Sequence, residues 1–400
     1  QDETFEYAVG GDITTLLNAR GNISKLTTPE VFQSFFAHQS NLTDVSDLKL
    51  TSDTLSKGCY SMMFADCEKL AVGPELMAMT LAESCYSSMF TNCISLREIE
   101  LPAYTLADFC YAMMFNGCSN LIRVKAGFTD WNYSGGSTDS WMINVNTEDG
   151  VFECYPGVAE RMQQYESIPF GWSVENLTSA RIVVPAWGYT TYYQGFEGLT
   201  YIMPEGLEGY TVSANQKRLN LSQEFIGGEI VNKEIPLLIK GEPGIYTITF
   251  TDEISDRIIL SSNDLIGSDR ADIFYPYERM DYYSLGLNAK ANIESVGFYL
   301  FTDSVNGYVN QPKSAFLIVR DNTDKVPAYY LNEDYSEPTD ETPDSSGDNG
   351  DGGENGDNGD GGETGGDNGE TGDNGETGGE NNPTDGIEGI SIDENAEIYN

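Results

Sequence analysis

The stretch CYSMMFADCEKL (59–70) returns as CYSSMFTNCISL (85–96) and again as CYAMMFNGCSNL (110–121). Aligned, the copies set Leu55, Cys59, Met63, Cys67 and Leu70 against Leu81, Cys85, Met89, Cys93 and Leu96, and against Leu106, Cys110, Met114, Cys118 and Leu121. Offsets of four and three put each set on one stripe of a helix. Phe64, Phe90 and Phe115 widen that stripe. FQSFFAHQSNL (32–42) is a divergent earlier copy, with Phe36 and Leu42 at the Phe and Leu positions, and from Phe36 the steps are 28, 26 and 25 residues.

Between the copies lie DVSDLKL, LAVGPELMAM, LREIELPA and LIRVKAGF. Each reads as one short strand, followed by turn residues and a Thr-Leu pair before the next helix. A strand and a helix in about 25 residues match an α/β leucine-rich-repeat solenoid, whose units bury their faces only against their neighbours.

The repeats hold six of the seven cysteines, and Cys154 stands outside them. Beside Met, Phe and Leu on an inward stripe, Cys acts as a small hydrophobe. Disulfides between stacked neighbours are a second reading in an oxidising compartment. Zinc fits poorly, because structural sites favour close pairs and C-x7-C is not that pattern. The structural repeat core is thus Cys59, Phe64, Cys67, Leu70, Cys85, Phe90, Cys93, Leu96, Cys110, Phe115, Cys118 and Leu121, with no metal site.

The pattern TLxxxCYxxMFxxCxxL, joined by LPAYTLADFCY, resembles the BspA-like leucine-rich repeats of surface proteins from gut and oral anaerobic bacteria. FEYAVGGDITTLLN at the start and IPFGWSVENL at 168–177 resemble the flanks of such arrays. The likeness covers about residues 5–177 and implies a secreted, surface-exposed adhesin that contacts host or bacterial proteins. FQSFFAHQSNL lacks both cysteines and LIRVKAGFTDW replaces the usual LPA, so these read as the first and last units, with repeats over about 30–125 and a cap over 126–177. The insertion WNYSGGSTDSWMINVNTEDG (131–150) is expected to end the regular array, as a cap or a binding loop.

From Ala180 the texture changes to ARIVVPAWGYTTYY, EIPLLIKGEPGIYTITF, RIILSS, SVGFYLFTD and KSAFLIVRD, strands rich in Val, Ile, Tyr and Phe and broken by turn residues. Several short strands predict an antiparallel β-sandwich over 178–335. The same stretch is similar to a β domain that follows such repeats, a likeness that brings no catalytic residue. Residues 336–384 are nearly all Gly, Asp, Glu, Asn and Thr and read as a disordered acidic linker. GIEGISIDENAEIYN (386–400), within the terminal segment 385–400, regains an apolar alternation and resembles the truncated start of a C-terminal segment of secreted proteins. The fold expected is therefore multidomain: 1–177 repeats, 178–335 sandwich, 336–384 linker and 385–400 terminal segment.

Charge and motif content narrow the function. Net charge is −43, and from Leu331 onward there are 22 acidic residues and no Lys or Arg. Such a chain is repelled by phosphate backbones and anionic membranes, so nucleic acid is no partner. No apolar run is long enough to span a bilayer. The chain opens at Gln1 without a basic-then-apolar leader, which fits either a removed signal peptide or a sequence that begins inside the gene; the first is the expectation for a secreted protein. His38 is the sole histidine, and there is no G-x-S-x-G, H-E-x-x-H or P-loop. We expect no enzyme and no cofactor.

Candidate contact positions are Arg97, Glu98, Glu100, Arg123 and Lys125 on the strand face of the repeats, residues that equally fit a solvated surface. An alternative is glycan capture on an aromatic platform of Tyr189, Tyr192, Tyr193 and Phe196, the same side chains fitting ordinary strand packing. A third reading makes the repeats a spacer without a ligand. Oligomeric state is left open by the sequence.

Overall fold

The computed structural model describes residues 5–21, 23–131, 135–146, 148–162, 168–215, 218–275, 280–288, 295–302, 308–320, 326–332 and 396–397. The linker at 336–384 lies outside them, as does all of 385–400 but Ala396–Glu397.

The described residues are nearly all β. Helix is confined to a 3-10 turn at Ile13–Leu16 and a short α-helix at Val158–Met162, so the helices expected over the Cys-Tyr-x-x-Met-Phe copies are corrected. Those copies form a ribbon of turns with a period of four. In 58–67, the N–H of Cys59, Ser61, Met63, Ala65 and Cys67 each donates three residues back, at 3.1–3.3 Å. The alternate N–H groups of Gly58, Tyr60, Met62, Phe64 and Asp66 donate to carbonyls of the next copy, from Glu83 to Thr91, at 2.8–2.9 Å. The following copies repeat this, Tyr86 to Cys110 and Phe90 to Met114 among them. The first residue of each four takes a left-handed φ: Gly58, Met62 and Asp66, then Ser84, Ser88 and Asn92, then Phe109, Met113 and Gly117.

Spacing explains why a ribbon forms here. Paired strands stand about 4.8 Å apart, whereas packed helices need about 8–10 Å. Units of some 25 residues stacked at strand spacing have no room for a helix behind each strand unless the stack bends sharply. The ribbon spends half of its amides on the neighbouring copy and so holds the strand spacing on both sides. Side chains follow suit in two ring columns. Phe36, Phe64, Phe90 and Phe115 stack at 5.5–6.2 Å, and Phe32, Tyr60, Tyr86 and Tyr111 at 5.8–6.0 Å, all within 14° of parallel. The twelve core residues named from the repeats are all fully buried.

Opposite the ribbon, every pairing is parallel. Tyr7–Ala8 pairs Leu42–Asp44, and Gly11–Asp12 pairs Leu48–Lys49. Single bridges join Asp44 to Val72, Leu50 to Leu76 and Thr54 to Thr80. A four-stranded sheet then runs Glu98–Leu101, Arg123–Ala126, Val151–Cys154, Ser173–Asn176. The 131–150 insertion does not end the array. Phe109, Tyr111, Met113, Phe115 and Gly117 donate to carbonyls at Gly135, Ser137, Asp139, Trp141 and Ile143, so the insertion supplies one more rung. Trp141 caps the phenylalanine column at 5.8 Å from Phe115 and meets Trp131 and Phe152 edge-on.

Beyond residue 178 the sheets are antiparallel, as expected, but they make three layers where a sandwich has two. Ser179–Val184 pairs Gly244–Thr251, which continues through Thr200–Ile202 to Ile230–Val231. A second sheet runs Tyr189–Tyr192, Leu237–Lys240, Glu208–Asn215, Arg218–Ile226. A third contains Leu265–Ser268, Ser314–Arg320, Met280–Asn288, Val296–Leu300 and Ala328–Tyr330. Leu237 and Ile239 join a core continuous with the repeats, while Leu238 between them joins the core under the third sheet. The strand Leu237–Lys240 of the second sheet is therefore buried on both faces.

Candidate binding surface

Strand alternation decides which charges face out. Ile99, Leu101, Val124, Ala126, Phe152 and Cys154 point into the core, leaving Glu98 and Glu100 beside Arg123 and Lys125 in register. Arg97, Glu98 and Arg123 are exposed. Among the described residues Arg97 and Glu98 have no ion-pair partner, and Arg123 pairs with the buried Glu153 on the next strand.

Glu100 and Lys125 are not free contacts, and that expectation is corrected. Lys125 Nζ lies 3.3 Å from Glu100 Oε1 and donates to Ser179 Oγ at 2.7 Å. Arg181 descends on the same spot. Its Nε is 3.4 Å from Glu100, one Nη is 2.9 Å from Glu75, and the other donates to the Leu76 carbonyl at 3.1 Å. The Tyr104 hydroxyl donates to the Arg181 carbonyl. The strand Ser179–Val184 thus covers half of the charged face. The uncovered half ends at Ser173–Asn176, a strand with all four residues exposed.

The expected aromatic platform is dismantled by burial. Tyr192 and Phe196 are buried, so neither offers a ring face to a sugar, and Tyr189 and Tyr193 are half-buried. Phe196 instead stacks on Tyr155 at 4.8 Å between ring centres. The ammonium of Lys313 lies against this pair, at 4.2 Å from the Phe196 centre and 4.4 Å from that of Tyr155. Lys313 Nζ also meets Asp269 Oδ1 at 2.6 Å and donates to Gln194 Oε1. Burial pulls the Lys313 amine down to about 8, against the pull of the Asp269 carboxylate in the other direction. Its backbone is tied in as well: the Lys313 N–H donates to Ser268 and its carbonyl accepts from Tyr193. No motif announces Lys313, Asp269 or Arg181. The one signal is scarcity, since a chain with 21 basic residues against 64 acidic ones gives few cations to bury.

The repeat cysteines are free thiols buried in the stack. The Sγ–H groups of Cys67, Cys93 and Cys118 donate to the carbonyls of Phe36, Phe64 and Phe90 at 3.0–3.1 Å, each one copy back. Burial pushes the Cys67 thiol up to about 11 and those of Cys59, Cys110 and Cys118 up to about 12. These are poor nucleophiles and poor metal ligands, which act as thiolates. His38 is exposed and sits 3.1 Å from Asp66, whose other oxygen accepts from Asn92 at 2.8 Å, a polar row on the ribbon's outer side.

One cleft of about 270 Å³ opens where the repeats meet the β layers. Thr80, Tyr104 and Thr105 come from adjacent repeats, Ile182 and Thr190 from the two strands that part at Trp187, Leu285 from the third sheet and Gln311 from the turn that leads into its strand Ser314–Arg320. No helix among the described residues is long and apolar enough to cross a membrane. No protein-family model, curated protein or solved structure matches the chain.

Proposed function

We propose that this chain is a secreted, cell-surface binding protein that grips an extracellular protein through the repeat face. The parallel strand pairings, the copy-to-copy turn ladder and the stacked ring columns support reading residues 5–177 as a leucine-rich-repeat solenoid of the BspA-like kind. The observation that carries the binding role is the uncovered half of the charged sheet. Arg97, Glu98 and Arg123 stand exposed on the sheet whose far edge is the strand Ser173–Asn176. A rigid sheet offers fixed, mixed charges at low ordering cost, and an open edge presents unpaired amides and carbonyls to an extended segment.

The reading is tested with the full chain on immobilised extracellular matrix proteins and, in parallel, on polysaccharides. A protein on the panel should be bound, and combining Arg97→Ala, Glu98→Ala and Arg123→Ala should weaken binding at least about tenfold, or ~1.4 kcal/mol. Unchanged binding by the triple variant would sink the assignment of the face.

A further inference from the structure

We infer that the cleft between the repeats and the β layers is a binding site for a small, uncharged, hydroxyl-rich ligand, a neutral sugar unit. This goes beyond protein binding at the strand face and uses none of its residues.

The walls carry the argument. At about 270 Å³ the cleft is near the lower end of small-molecule sites. Leu81, Leu106, Ile182 and Leu285 give it an apolar lining, and the half-buried ring of Tyr104 stands at its side. An apolar floor with an aromatic flank suits the C–H face of a pyranose. Around it lie the hydroxyls of Thr80, Thr105 and Thr190 and the amide of Gln311, four neutral side chains that both donate and accept. Among the described residues, none of the four side chains makes a hydrogen bond within the protein. Neighbouring side chains are spent: Thr191 Oγ1 accepts from the Ala315 N–H at 3.0 Å, and Ser314 Oγ donates to the Gln311 carbonyl at 2.7 Å.

Charge completes the assignment. The one ionisable amine among the described wall residues is Lys313, and its ammonium is fully buried behind the cleft, against the stacked Tyr155 and Phe196 rings and on Asp269 and Gln194. A ligand in the cleft therefore meets no accessible charge, and a carboxylated or sulfated sugar would lose its hydration without a counter-ion. The tightness of the Lys313 cage also fixes Gln311 and Pro312 two residues away, so the wall is preformed.

Saturation-transfer NMR and calorimetry on the full chain would use glucose, galactose and N-acetylglucosamine as probes, with glucuronate as the charged control. At least one neutral sugar should bind, glucuronate at least tenfold more weakly. Thr105→Trp, at an exposed position, should fill the cleft and abolish binding. Gln311→Ala, which breaks no side-chain hydrogen bond among the described residues, should weaken it about fivefold with an unchanged melting temperature and serves if the tryptophan variant misfolds. Binding of none of the neutral sugars, equal binding of glucuronate, or binding that survives both variants would overturn the proposal.

Discussion

At the scale of single residues, two groups reveal where the molecule carries unrelieved cost. The hydroxyls of Tyr86 and Tyr111 are buried in the ring column without a hydrogen-bond partner among the described residues. A buried hydroxyl left unpaired costs about 1–3 kcal/mol. Phe32 fills the first place of the same column, before Tyr60, so the column accepts a bare ring. Tyr111→Phe should therefore raise stability by about 1 kcal/mol in denaturant unfolding, where loss of a useful bond would lower it. Lys313 has the second cost. Its amine is held near 8 in the fold against 10.5 in the unfolded chain, so between those values the unfolded state binds more protons. Its contribution is thus greatest above pH 10.5 and is lost as pH falls to about 8, by about 3 kcal/mol in all. Wild type measured against Lys313→Met should gain relative stability from pH 7.5 to 10, the reverse of what a simple ion pair with Asp269 would give. Tyr155 and Tyr193 face the same site, and burial raises both, so they cancel to first order in that comparison. The thiols give a third readout. Native protein at pH 7 should resist alkylating reagents, and unfolding without reductant should expose at least the six repeat thiols, whereas disulfides would leave them silent.

Elements were only partly legible. The repeat, its length, its strands and its buried columns could be read directly, because an inward residue every four positions is written three times over. The helix could not be told from the turn ribbon by the same evidence. A period of four and a period of 3.6 part by less than one residue across Cys59, Met63 and Cys67. The distinguishing mark was the opposite row: Gly58, Asp66, Ser84, Ser88, Asn92 and Gly117 are residue types that tolerate a left-handed backbone, at every fourth place. Met62, Phe109 and Met113 hide that row because they pay the strain with bulky, half-exposed side chains. Met113→Gly should accordingly stabilise the protein by about 1 kcal/mol, where the same change in a helix would destabilise it by a similar amount. Chemical denaturation of that single variant separates the two elements. The insertion at 131–150 was misjudged for a related reason: Gly136, Ser140 and Asn144 keep the four-residue row even though the cysteines are gone.

For the whole molecule, the repeats and the β layers share one continuous core, with Arg181 at the seam. Charge alternation along the strands was visible in the sequence, but which charges would be covered was not, since Glu75, Glu100 and Arg181 are far apart in the chain. Arg181→Met removes a buried guanidinium that serves two carboxylates and the Leu76 carbonyl. Breaking such a buried pair costs about 3–5 kcal/mol, reduced here because Glu75 is largely exposed. We expect a loss of about 2–3 kcal/mol and, in calorimetry, one unfolding peak becoming two as the halves uncouple. A single peak at an unchanged temperature would mean that the seam is held by apolar contact alone.

The turn ladder also gives the stack a direction. From one copy to the next, the amides at alternate positions all donate toward the C-terminal neighbour, and none of the backbone bonds described between copies of the ribbon runs the other way. Their dipoles therefore add across the chain, much as those of a helix add along it. The copy at 30–38 ends the column on its carbonyl side and the rung at 135–143 on its N–H side. The two ends need caps of opposite electrical character. Interior copies can be exchanged or multiplied in register, but a cap that donates to the carbonyls of the first unit cannot satisfy the N–H groups of the last, which require acceptors.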